Sequence, residues 1–165
     1  MDISLDTTWR WRKQTRFIVS VGFAVILVSL VASYAFSLTR QTVEVRVGQS
    51  GVYSLWVAGN ERALYKGLSG VDELPPNGGL LMDYKTESRP RIVMRDMKIP
   101  IDAVWLNKDK RVVHIVKNLD PSLGESKEFG AQEGARYILE LPAGSVERSA
   151  IKIDDMAQFD VLEGR

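Results

Sequence analysis

From Phe17 to Thr39 the chain runs 23 residues without a charge, and no other stretch limits its folding as strongly. As a helix rising about 1.5 Å per residue, such a run is about 34 Å long, enough to cross a hydrocarbon core of about 30 Å with slight tilt. Its polar members are Ser, Thr and Tyr, whose hydroxyls can bond back to helix carbonyls, and Gly22 is tolerated in lipid. A buried core helix in so small a protein would show a polar face, and this run has none. A cleaved signal peptide is the other alternative: Ser33-Tyr34-Ala35 is a passable cleavage site, but the run is longer than a usual signal core. The expectation is an uncleaved single-pass transmembrane helix over 17–39. Arg10, Arg12, Lys13 and Arg16 precede it and only Arg40 follows closely. Positive residues stay on the cytoplasmic side, so residues 1–16 form a cytoplasmic tail and 40–165 an exported domain.

Charge sorts with this division. Of 22 Lys/Arg and 21 Asp/Glu, 17 and 19 lie from Gln41 onward, so the exported part is slightly acidic and nucleic acid is disfavoured as its partner. There is no cysteine and one histidine. That excludes disulfides, thiolate metal sites, cysteine nucleophiles and multi-histidine centres. No metal or other cofactor is called for.

Periodicity in the exported part is mostly two, the mark of strands. Val43, Val45 and Val47 alternate with Glu44 and Arg46, and Val52–Val57 is a second extended run. Asn60 caps a short helix reaching Leu68, a turn over Pro75–Gly79 follows, and Leu80-Leu81-Met82 resumes the strand pattern. Further strands are expected at Arg91–Arg95, Ile101–Leu106, Arg111–Val116, Arg136–Leu141 and Met156–Leu162. Pro121–Gly134 reads as a surface loop and Ala143–Ala150 as one or two helical turns. The fold class is mainly β, a small β-barrel or packed-sheet domain with one or two short helices.

Four stretches in order resemble the domain of unknown function 192 family. Lys66-Gly67-Leu68-Ser69-Gly70 with Glu73-Leu74-Pro75 and Gly79-Leu80-Leu81-Met82 is similar to its opening glycine-leucine segment. Met94-Arg95-Asp96-Met97 with Ile99-Pro100-Ile101-Asp102 resembles its Met-basic-Asn-Thr tetrapeptide and Pro-aliphatic-Asp turn. Arg111–Ile115 resembles the next strand, and Ala135–Gly144 is close to the C-terminal signature. The resemblance covers about Tyr65 to Leu162 and implies a small mostly-β domain, often exported or membrane-anchored, with no activity attached. Asp96 and Met97 stand where the family usually carries Asn and Thr. Many members have cysteines in the segment matching Leu119–Gly134; this chain has none, which removes any metal or redox role through them.

Carboxylates within apolar strands are the most informative chemical positions, because a buried unpaired charge costs several kcal/mol. In Ile101–Leu106, the alternation sets Ile101, Ala103 and Trp105 on one face and Asp102, Val104 and Leu106 on the other. Asp102 either braces a turn through backbone N–H groups or joins Met94, Asp96 and Arg136 at the mouth of a ligand-binding pocket. A carboxylate pair, Asp96 and Asp102, also admits a glycosidase-like reading. His114 lacks a nucleophile to serve, Ser69 and Ser145 lack the nucleophile-elbow pattern, and Trp56 and Trp105 read as core. No catalytic residue is assigned.

These readings point to a membrane-anchored extracytoplasmic binding or interaction module at the cell envelope, held in the lipid bilayer through Phe17–Thr39. Its partner would be an envelope polysaccharide or a neighbouring membrane protein. An envelope carbohydrate- or peptide-processing enzyme and a structural subunit of a membrane complex are the alternatives.

Overall fold

Valine alternating with charged residues makes Thr42–Val47 the first strand, β1, with Val45 and Val47 buried and Glu44 and Arg46 in solvent. Gly48, at φ 71°, turns the chain into β2, Gly51–Ala58. The computed structural model describes residues 26–29 and 41–161. The expected membrane-spanning run falls outside the described residues except for 26–29, which are helical. No helix among the described residues is long and apolar enough to cross a membrane. The unit that begins at Gln41 holds the fold.

After β2, the Asn60 side chain accepts a hydrogen bond from the Ala63 N–H at 2.9 Å and starts helix α1, Glu61–Lys66. The helix ends at Gly67, whose φ of 51° favours glycine. The remaining elements are β3 (Leu80–Ser88), β4 (Arg91–Ile92), β5 (Ile101–Leu106), β6 (Val112–Leu119), a 3-10 turn (Pro121–Leu123), β7 (Phe129–Gly130), β8 (Ala135–Pro142) and α2 (Ser145–Arg148). Six strands form one sheet in the order β1-β2-β3-β8-β5-β6, antiparallel except for the parallel β2–β3 pair, and β4 pairs with β7.

The sheet curls, and a strap from the C-terminal segment links its two edges. Arg46 exchanges backbone hydrogen bonds with Gln158 at 3.0 and 2.8 Å; the Ala157 N–H reaches Lys110 O and the Val112 N–H reaches Asp155 O, each at 2.9 Å. The strand expected at Met156–Leu162 is therefore two isolated bridges, one to Arg46 and one to Arg111. Because the segment bonds first to one edge and then to the other, no continuous ladder can form. The strand expected at Arg91–Arg95 likewise stops after Ile92. Asp96 takes a left-handed φ of 51°, and the Met97 N–H bonds back to Met94 O at 3.3 Å. Pro121–Gly134 holds the 3-10 turn and β7 rather than loop alone.

Each face of the sheet carries its own apolar cluster. One gathers Val45, Leu55, Leu81, Val104, Leu106, Leu139 and Leu141 under α2 and the strap, through Val146, Ile151, Ala157 and Phe159. The other gathers Leu80, Met82, Ala103, Trp105 and Ile138 under the connections that bring Leu68, Ile92, Met94 and Ala131. With both faces covered, β5 is buried along its whole length. Trp105 is fully buried and donates its indole N–H to Pro90 O at 3.1 Å. A fragment beginning at Gln41 is expected to be soluble, with a β-type circular dichroism spectrum; a helical spectrum contradicts this fold.

Candidate functional site

Strand β8 runs between β3 and β5, and its alternation sends Tyr137, Leu139 and Leu141 into one cluster and Ile138 into the other. Glu140, two residues beyond Ile138, shares that second face and pairs across the sheet with Leu80 and Ala103. Its carboxyl forms the floor of a cleft of about 270 Å³. Leu64 to Ser69 form one wall, Met82 and Tyr84 rise from β3, and Arg91, Ile92, Val93, Arg95 and Met97 complete the lining.

Glu140 is only 5% exposed, and its Oε2 atom has no hydrogen-bond partner. Burial alone pushes its pKa from 4.5 up to about 7. Tyr84, beside it in the cleft, is pushed up to about 12 by burial and then by the charge of Glu140, so at neutral pH it stays an uncharged phenol. Gly67 brings backbone over the carboxyl: a Cβ placed there would lie 3.6 and 3.9 Å from the two carboxylate oxygens. Gly67→Ala would strain the φ of 51° and narrow the cleft above Glu140. The expected loss is about 1–3 kcal/mol of stability, read from a denaturant midpoint.

The mouth is cationic. The Arg95 guanidinium lies 3.7 Å from the Tyr65 ring centroid, donates to Tyr65 O and meets Glu125 at 3.5 Å. Arg91 meets Glu128 at 3.0 Å, and Lys66 stands exposed beside them. Glu125 and Glu128 are themselves largely exposed, and surface pairs of this kind contribute little.

The four residues singled out in the sequence do not assemble here. Met94 is fully buried in the same apolar cluster as the cleft residues Leu68, Met82 and Ile92, and its N–H bonds to Gly124 O at 2.8 Å. Asp96 is exposed on its turn, where its carbonyl accepts from the Gly70 N–H at 2.9 Å. Asp102 is fully buried on the opposite face of the sheet from Glu140, paired with Leu141. Its Oδ1 accepts from the Asn118 N–H and its Oδ2 from the Val146 N–H, each at 2.9 Å. That arrangement braces the end of β6 against the start of α2.

Arg136 donates from Nε to the buried Asp83 at 3.2 Å. Burial would raise the Asp83 pKa, but the Lys85 ammonium and N–H and the Arg136 guanidinium outweigh it and hold the carboxyl below its usual range. None of Asp96, Asp102 and Arg136 lines the cleft. Glu140, not among the sequence candidates, carries the same signal as Asp102: a carboxylate inside an aliphatic run, here Ile138-Leu139-Glu140-Leu141.

Residues 43–159 match the model of the DUF192 family, described as an uncharacterized ACR. The chain belongs to this family. The expected resemblance is thereby shown over most of the unit that carries the cleft. No curated protein is similar to the chain. Among solved structures it is similar to a protein of unknown function from Novosphingobium aromaticivorans DSM 12444, at 25% identity and TM-score 0.66, over 72% of this chain and 84% of that one. It is also similar to a protein from Sinorhizobium meliloti 1021 described as a candidate transcription regulator. There the identity is 22% and the TM-score 0.68, over 73% of this chain and 95% of that one. The second likeness carries the fold alone.

Proposed function

We propose that this DUF192 protein is a membrane-anchored, extracytoplasmic module that binds a small molecule in the cleft above Glu140. The observation that carries the binding reading is the unpartnered, buried Oε2 of Glu140 at the floor of an open cleft. Native proteins pair nearly all their buried polar atoms, and an exception inside a concave, mostly apolar site is where a ligand supplies the missing partner. Catalysis by the pair Asp96 and Asp102 is less favoured, because both oxygens of Asp102 already hold backbone N–H groups and Asp96 stands in solvent. The anchor reading rests on the uncharged run Phe17–Thr39 and the cations before it. The regulator description of the S. meliloti protein is not carried over, since residues from Gln41 onward hold 17 cations against 19 acids.

Methionine methyl groups test the binding reading. Met82 and Met97 line the cleft, whereas Met156 is half exposed and pairs with Arg111 at the strap. In the full-length chain labelled with 13C-methyl methionine, a panel of small polar molecules is expected to include members that shift the Met82 and Met97 signals and leave Met156 in place. A panel that moves none of them contradicts the proposal. For the anchor, neutral replacements of Arg10, Arg12, Lys13 and Arg16 are expected to scramble orientation in a protease-accessibility assay; an unchanged orientation counts against it.

A further inference from the structure

The cleft separates two charges of opposite sign by depth. Glu140 lies at the floor, and burial alone governs its carboxyl. Arg91, Arg95 and Lys66 stand at the mouth, and Leu64, Leu68, Met82, Ile92 and Met97 line the walls. A neutral donor could fill the free lone pair of Oε2, but only a cation offsets the desolvation of the ionised carboxyl. A plain amine would be repelled by the guanidinium groups it must pass. A plain acid would stop at the mouth and leave the floor unpaired.

Taking the small-molecule reading of the cleft as its basis, we infer that the ligand is a short amphoteric molecule, with an ammonium group on Glu140 and an anionic group at the guanidiniums of Arg91 and Arg95. The anionic group takes the place of Glu125 or Glu128, whose exposed ion pairs exchange at little cost. Guanidinium planes are suited to receive it, since they bind carboxylate and phosphate bidentately. At the floor, the ammonium group fixes Glu140 as carboxylate, and the proton the acid carried passes to solvent. The other ionisable groups lining the cleft are Tyr65, Lys66 and Tyr84. Tyr84 stays neutral in this range, so Glu140 sets the pH dependence. Affinity for amine-bearing probes therefore rises as pH climbs through about 7.

The test uses the full-length chain with 13C-methyl methionine and the probes glycine, 4-aminobutanoate and 6-aminohexanoate. Butylamine, butanoate and butanol serve as cationic, anionic and neutral controls. At least one two-ended probe is expected to move the Met82 and Met97 signals at a concentration about tenfold below any control. Glu140→Gln, which keeps the shape of the floor, is expected to remove that advantage and the pH dependence while leaving butanoate unchanged. Arg91→Gln is expected to weaken the two-ended probes and leave butylamine no weaker. Butanol acting as well as the two-ended probes, or Glu140→Gln leaving their binding intact, overturns the inference while small-molecule binding in the cleft stands. Silence of both methyl signals toward every probe, butanol included, overturns both.

Discussion

Asp102→Asn is expected to lower the stability of the fragment beginning at Gln41 by about 3 kcal/mol, because it leaves a buried donor facing a donor. In the parent, each carboxylate oxygen accepts one backbone N–H, from Asn118 at the end of β6 and from Val146 in α2. An amide has one carbonyl oxygen, so its NH2 group must oppose one of those N–H groups, and Asp102 is fully buried, out of reach of bulk solvent. The two contacts span 16 and 44 positions along the chain, so both strand end and helix start loosen together. Asp102→Ala removes both acceptors and is expected to cost at least as much. Urea denaturation at pH 7 measures this; a loss below about 1 kcal/mol contradicts the bracing role.

Glu140→Gln is expected to act in the opposite direction, by an amount that grows as pH rises from about 4.5 to about 7 and then levels off. The folded carboxyl holds its proton up to about 7 instead of the ordinary 4.5. Its contribution to stability is thus fully present below about 4.5 and is lost as pH rises through about 7. At about 1.4 kcal/mol for each pKa unit, the parent gives up roughly 3 kcal/mol across that window. The amide cannot ionise, so the variant is expected to match the parent near the acid end and to exceed it by roughly that amount near pH 8. Asp83 works with the opposite sign. Its pKa is lowered, so its contribution is present at neutral pH and is lost only as pH falls below about 4. The two effects therefore occupy separate ranges, and a denaturation series from pH 5 to pH 8 reads Glu140 alone of the pair. A parent and variant with parallel pH profiles contradict the buried, unpartnered state of Glu140.

The regular part of the fold was legible because alternation survives in it. Val43, Val45 and Val47 opposite Glu44 and Arg46, and the two faces of Ile101–Leu106, fall where period two puts them. The ends were less so. Met156–Leu162 has strand-like composition, but it bonds to two separate edges, and partner choice is a tertiary property that no local pattern encodes. Arg91–Arg95 reads as a strand by its apolar alternation, yet Asp96 in a left-handed turn ends it early. The candidate cleft is legible in the sequence by residue type and not by position. A carboxylate among aliphatics marks both Asp102 and Glu140; what separates them is whether backbone N–H groups lie within reach, and that depends on strands and helix brought from 16 to 44 residues away.

The most direct measurement is a carboxyl 13C titration of Glu140 in the fragment beginning at Gln41, assigned by comparison with Glu140→Gln. A midpoint near 7, drawn down when an amine-bearing ligand occupies the cleft, is the predicted result. A midpoint near the ordinary 4.5 would mean that the carboxyl is solvated or already paired, and the cleft would then have no unsatisfied group at its floor to hold a ligand.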